Sequence, residues 1–236
     1  MHQLFLKLIL CNLLFSVSVL AAREHIIVSG GPALRYFEKY KKENTHDRYW
    51  GNFIDAPIAR LPQIRAQMQP NDQLTWLVFR PAYITRGLEN QSDLISAVKK
   101  KLSDQGMKPY WFNSRKELIH YLNKGVNRKE LPIARVEYFG HSNKRTWMFD
   151  YSNNLDGAVA EPLLLHISHI KEIKRSAFAE DAISKSWGCH SGEAFTLAWQ
   201  KHTKTPMKGA VGKTDYSNGG IPFISTPEGY WTFGEE

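Results

Sequence analysis

Residues 133–142 read I-A-R-V-E-Y-F-G-H-S, and residues 182–194 read A-I-S-K-S-W-G-C-H-S-G-E-A. Each is a short run with a strong apolar and aromatic content that breaks at a glycine. Each then delivers a reactive side chain directly after the break: His141 in the first, Cys189 in the second. Runs of this kind, closed by a turn signal, predict buried strands over Ile133–Phe139 and Ala182–Trp187.

Further runs frame these two. His25–Ser29 (H-I-I-V-S) ends at Gly30-Gly31-Pro32, and Leu74–Phe79 (L-T-W-L-V-F) is closed by Arg80-Pro81. Met107–Phe112, Leu163–Ile167 and Lys208–Val211 are also expected strands. Between Gln91 and Gln105, Leu94, Ile95, Val98 and Leu102 recur at helical spacing, with Ser92 suited to the N-cap and Gly106 to the stop. Ser114 is placed to cap a helix that buries Leu118, Ile119 and Leu122 and ends at Gly125. A last helix is expected over Ser191–His202, directly after Cys189. Strands alternating with helices across short turns predict an α/β sandwich with a mostly parallel sheet covered on both faces. Functional groups then gather at the carboxyl ends of the strands, so His141 and Cys189 are expected on one edge of one sheet.

The chain begins M-H-Q-L-F-L-K-L-I-L-C-N-L-L-F-S-V-S-V-L-A-A. A positive start, an apolar stretch from Leu8 to Leu20 and small residues at Ala21 and Ala22 are the layout of a secretory signal peptide. The stretch is at the short end of the roughly 20 residues that a spanning helix needs, and Asn12, Ser16 and Ser18 interrupt it. The expectation is a cleaved signal over residues 1–22 and a single domain over 23–236, secreted or periplasmic, with no stable membrane anchor. The 236-residue chain carries 31 Lys plus Arg against 23 Asp plus Glu, a net charge of +8. The positive residues are dispersed, in groups such as Lys99-Lys100-Lys101, and no zinc-finger or RNP-type pattern accompanies them; a nucleic-acid partner is not expected.

Without the leader, Cys189 is the one cysteine that remains. A Cys paired with a His supports nucleophilic catalysis, the thiolate attacking while the imidazole activates it or protonates the leaving group. A helix starting near Ser191 would favour negative charge on the sulfur. Gly188 and Gly192 are expected to leave room for a substrate backbone.

The order of elements, with a strand into Gly140-His141-Ser142 followed by a strand into W-G-C-H-S-G-E, resembles the caspase–legumain–gingipain group of cysteine peptidases. Cys189-His190-Ser191-Gly192 is similar to the Cys-x-Ser-Gly run at the legumain nucleophile. The resemblance spans the core from His25 to Asp215. It implies a caspase-like three-layer α/β/α sandwich and an endopeptidase acting through a thioester. His141 would be the general acid/base and Cys189 the nucleophile, with the backbone N–H groups of Ser142 and Cys189 as the oxyanion hole. Asp215, in the stretch G-A-V-G-K-T-D-Y, would line the pocket for a basic side chain. The family's Gly after the His is Ser142 here. A peptide or protein substrate is implied, and that chemistry requires no metal or organic cofactor.

Four alternatives stand beside this reading. Gly140-His141-Ser142 opens a G-x-S-x-G nucleophile elbow, which would make Ser142 the nucleophile of a serine hydrolase, although Lys144 occupies the last glycine position. An amidotransferase-like Cys hydrolase would place its His after the Cys, where His202-Thr203-Lys204 fits poorly. Cys189, His190, His166 and His169 are a conceivable zinc set without a common spacing. An inactive, caspase-like binding domain would retain the fold and a relic dyad.

Overall fold

The computed structural model describes residues 21–32, 49–150, 163–217 and 219–234. The expected signal segment therefore lies outside the described residues up to position 20. In chain order the first half holds β1 (Glu24–Ser29), α1 (Asn52–Arg65), β2 (Gln73–Phe79), α2 (Arg80–Asn90), α3 (Leu94–Ser103), β3 (Pro109–Phe112) and α4 (Arg115–Lys124). Then come β4 (Ile133–Phe139), β5 (His141–Asn143), β6 (Thr146–Met148), β7 (Leu164–His166) and β8 (Phe178–Ser186). The chain finishes with α5 (Ala194–Thr203), β9 (Met207–Val211), β10 (Thr214–Asp215), β11 (Phe223–Ile224) and β12 (Tyr230–Thr232).

A seven-stranded sheet forms the centre, in the order β12-β9-β8-β4-β1-β2-β3. Neighbours are parallel except β12, which runs antiparallel to β9 at one edge. From β1 the chain builds outward through β2 to β3, and from β4 it builds the other way through β8 to β9. The order thus reverses between β1 and β4, the position where open α/β sheets form their ligand crevice.

Both faces of the sheet are buried, which is why Ile26–Val28 of β1 and Trp76–Phe79 of β2 read as continuous apolar runs, while β4 and β8 place Arg135, Glu137 and Lys185 among their apolar residues. Ile26 and Val28 of β1 pack with Leu118 and Leu122 of α4 and Phe195 and Trp199 of α5 in one cluster. Ile27, one residue along and on the opposite face, packs with Ile54, Leu61 and Ile64 of α1 and Val98 and Leu102 of α3 in the other. The expected α/β sandwich with a mostly parallel sheet is what folds.

Several expectations are corrected in detail. The strand expected over Leu163–Ile167 belongs to a separate three-stranded antiparallel sheet, β5-β6-β7, and the main sheet takes β8 directly after β4. The N-cap of α3 is Asp93, whose carboxylate accepts the Ser96 N–H at 2.9 Å, rather than Ser92. Arg80-Pro81, expected only to close a strand, also opens α2, because a proline in the first turn needs no helical donor.

Helix α1 carries Pro57 and Pro62 inside it, which hides it from helical periodicity. A proline cannot donate to the carbonyl four residues back, so Pro57 leaves the Phe53 carbonyl without its helical partner. The Ser29 hydroxyl, at the end of β1, donates to that carbonyl at 2.6 Å. The defect in the helix becomes the bond that pins its first turn to the sheet.

At the amino end of β1, Glu24 is fully buried. Its carboxylate is met by the Arg128 guanidinium, by the Tyr121 hydroxyl at 2.6 Å and by the Thr75 hydroxyl at 2.5 Å. A buried carboxylate is tolerated only with such partners.

Candidate functional site

Strands β4 and β8 are parallel neighbours with Tyr138 opposite Ser186, and the Trp187 N–H donates to the Tyr138 carbonyl at 2.8 Å. Their chains therefore leave the sheet side by side, and His141 and Cys189 emerge on the same carboxyl edge, as expected. On the same edge, the Gly30 N–H donates to the Phe139 carbonyl at 2.8 Å across the β1–β4 boundary.

The His141 ring stands edge-to-face against Phe53, with centroids 4.9 Å apart and planes at 86°. Phe53 makes the same kind of contact with Tyr216, at 4.9 Å and 89°. The Tyr216 hydroxyl donates to the Trp187 carbonyl at 3.1 Å and also interacts with the Gly140 backbone, so it ties the two strand ends together. Burial is the first cause that pushes the Tyr216 phenol well above its usual range, with Cys189 adding to it. Tyr216 therefore stays a neutral hydrogen-bonding group at any physiological pH. Neither Phe53 nor Tyr216 was among the sequence candidates; both are aromatic residues far from the Gly-His and Gly-Cys signals in the chain.

Residues 189–193 form turns, and the helix expected to begin at Ser191 starts at Ala194. The delay has a local cause. His190 adopts the left-handed conformation, with φ of 56°. Its N–H donates to the Gly212 carbonyl at 2.7 Å, the Gly192 N–H donates to the Ala210 carbonyl at 2.8 Å, and the Ser191 hydroxyl turns back to the Gly188 carbonyl at 2.9 Å. The two amides bond to β9 and the residue just after it rather than into a helix, so the first helical turn begins only at Ala194.

Cys189 is half-buried, and its Sγ faces Thr214. The Thr214 N–H donates to the sulfur at 3.4 Å, and the Thr214 hydroxyl and carbonyl oxygens each lie 3.6 Å from it. Thr214 belongs to β10, which pairs with β11, and the Lys213 N–H beside it donates to the Thr226 hydroxyl at 2.8 Å.

Ser142 is buried, and its hydroxyl donates to the Cys189 carbonyl at 2.6 Å. It lies within β5 and not at the start of a helix, so the strand-to-helix elbow of a serine hydrolase is not formed here. Ser142 stands opposite Trp147 in the β5–β6 pairing. Gly188 does not open space for a substrate. A Cβ there would fall 2.2 Å from the Ser142 Oγ and 2.8 Å from the Gly140 carbonyl oxygen, so the missing side chain lets β4 and β8 close on each other. Gly192 likewise lies against the Gly209 carbonyl, which a Cβ would meet at 2.7 Å. Asp215 is half-buried in β10, next to Thr214, and one carboxylate oxygen accepts the Ser217 N–H at 2.6 Å.

His190 Nδ1 lies 3.0 Å from a Glu193 oxygen, and the second oxygen of that carboxylate is 2.7 Å from Lys144 Nζ. Burial disfavours the ionised Glu193, but Lys144 and His190 outweigh it and hold the carboxyl below its usual range. His166 and His169 bond within their own turn, His169 Nδ1 accepting the His166 N–H at 3.2 Å. Among the described residues, no group of three or more His, Cys, Asp or Glu side chains is placed to hold a metal ion.

Beneath the site, the buried Glu137 takes the Trp187 indole N–H at 2.8 Å and both Arg60 and Arg135. Lys185 Nζ lies over the Trp187 ring at 3.2 Å and the Trp231 ring at 4.1 Å. No helix among the described residues is long and apolar enough to cross a membrane. No family model matches this chain, and no curated protein or solved structure matches it.

Proposed function

We propose that the protein is an exported cysteine hydrolase of the caspase-like type, acting on peptide or protein substrates through Cys189 and His141. The observation that carries this reading is the delivery of both residues from adjacent parallel strands onto one carboxyl edge, next to the point where the strand order reverses. In this reaction the Cys189 sulfur attacks the scissile carbonyl carbon, and a C–S bond forms as the carbonyl π electrons move to oxygen. The tetrahedral species collapses, the C–N bond breaks, and His141 supplies the proton to the departing amine. Water then adds to the thioester, His141 accepts its proton, and the carboxylic acid leaves as the thiol is restored. The N–H groups of Ser142 and Cys189 are assigned to the developing oxyanion. Export rests on the leader-like residues 1–22.

The test is alkylation of the purified protein with iodoacetamide at pH 6.5, read on the Cys189 peptide by mass spectrometry, for wild type and His141→Ala. Rapid labelling of Cys189 that the His141 change slows, with peptide-library cleavage lost in Cys189→Ala, is the expected result. Labelling of Cys189 only after unfolding would remove the hydrolase reading and leave the fold as a binding domain.

A further inference from the structure

The sequence pointed to a helix N-terminus as the support for an anionic sulfur at Cys189, and that helix starts five residues downstream of the cysteine, at Ala194. The sulfur is supported from another direction. The segment after β9 runs back across the Cys189 turn and is stitched to it at three places: Gly212 carbonyl to His190 N–H, Thr214 to the sulfur, and Tyr216 hydroxyl to the Trp187 carbonyl. Thr214 is 1 % exposed, so its backbone and hydroxyl are held in place rather than hydrated.

Resting on the hydrolase reading above, we propose that Thr214 is a positioning residue for the nucleophile, its amide and hydroxyl donating to the Cys189 sulfur in the attacking, anionic form. The chemistry separates the three contacts. A thiol can donate to the Thr214 carbonyl at 3.6 Å, and that carbonyl gives nothing to a thiolate. The N–H at 3.4 Å can only donate, and the hydroxyl at 3.6 Å can rotate to donate once the sulfur proton has left. Hydrogen bonds to the charged form favour that form, and more strongly where water is excluded. The titratable groups that interact with the sulfur are Tyr138 and Tyr216; His190 and Glu193 lie on its own turn, Lys213 and Asp215 flank Thr214, and His141 follows β4 on the same sheet edge. Both tyrosines are held neutral by burial across the working range, so the Thr214 hydroxyl is the contact that a side-chain change removes without altering charge.

The experiment compares iodoacetamide labelling of the Cys189 peptide in wild type, Thr214→Val and Thr214→Ser at pH 6.5 and pH 9.5. Valine keeps the shape and loses the donor; serine keeps the donor and loses a methyl. A hydrogen bond to a charged group contributes about 1.5–3 kcal/mol. The long sulfur contact places Thr214→Val near the low end of that range, so its labelling should be about tenfold slower at pH 6.5. At pH 9.5 it should approach the wild-type rate, and Thr214→Ser should follow wild type at both values. Equal rates for wild type and Thr214→Val at pH 6.5 would overturn the assignment and leave Cys189 as the nucleophile. Equal slowing in the serine variant would overturn it too, since packing and not the hydroxyl would be responsible. Wild-type Cys189 labelling no faster at pH 6.5 than an unstructured cysteine peptide would remove the hydrolase reading itself, and Thr214 with it.

Discussion

Gly188 is the position where a single methyl group should do the most damage to this site. A Cβ on Gly188 would sit 2.2 Å from the Ser142 Oγ, 2.8 Å from the Ser142 Cβ and 2.8 Å from the Gly140 carbonyl oxygen. Two of those three atoms belong to a side chain that is itself pinned to the Cys189 carbonyl at 2.6 Å, and the third is backbone. Gly188→Ala must therefore push β4 and β8 apart at their carboxyl ends or expel the Ser142 hydroxyl. Overpacking of a close contact costs about 1–3 kcal/mol, and loss of the Ser142 hydrogen bond adds about 1 kcal/mol. The expected cost is about 2–4 kcal/mol. Its φ lies outside the left-handed region, so no backbone strain is added. In a domain of this size each kcal/mol lowers Tm by about 2–4 °C, so the melt should fall by roughly 5–15 °C. A double-mutant cycle with Ser142→Gly isolates the clash. Removing the Ser142 side chain should recover at least about 1 kcal/mol of the Gly188→Ala cost, measured by urea denaturation. A Gly188→Ala protein melting within about 2 °C of wild type would refute the close approach. A strictly additive cycle would show that Ser142 is not what the methyl group meets.

Arg128→Leu should cost about 3–5 kcal/mol in urea unfolding, because it leaves the fully buried Glu24 carboxylate without its cation; pairing it with Glu24→Gln should recover part of the loss, and a cost below about 1 kcal/mol would contradict the buried pair. Burial pushes the Lys185 ammonium down to about 7, against the pull of Glu137. The unfolded chain keeps that proton to near 10.5, so between these values the unfolded state binds more protons and stability rises with pH. Lys185→Met, measured by thermal melts from pH 7.5 to 9.5, should gain most at the low end and converge toward wild type at the high end, whereas parallel curves would rule the shift out.

Much of the architecture was legible in the sequence because buried parallel strands are local statements. The runs at Ile27 and Leu77 are apolar on both sides of the backbone, those at Val136 and Ile183 mix apolar residues with Arg135, Glu137 and Lys185, and each breaks at its own end. The sheet edge from which His141 and Cys189 both emerge follows from that alternation of strands and helices alone. Helix α1 was not legible, since its two prolines contradict helical propensity and its stability comes from packing and from Ser29. The start of α5 differs for a related reason: Ser191-Gly192-Glu193 looks like a helix entry, but the Gly192 N–H donates to the Ala210 carbonyl of β9. The meaning of Gly188 was reversed, because a glycine beside a reactive residue reads the same whether ligand or protein fills the space.

The sequence alone determined the α/β class, the mostly parallel sheet and the two strand ends after which His141 and Cys189 follow, because periodicity and turn signals act over a few residues. Tertiary structure decided everything that depends on distant segments closing on one another. It placed Phe53 and Tyr216 against the His141 side and Thr214 against the sulfur, from positions 88, 75 and 25 residues away along the chain. No local pattern encodes such contacts. They depend on the strand order and on the path of the chain past β9 back across the Cys189 turn.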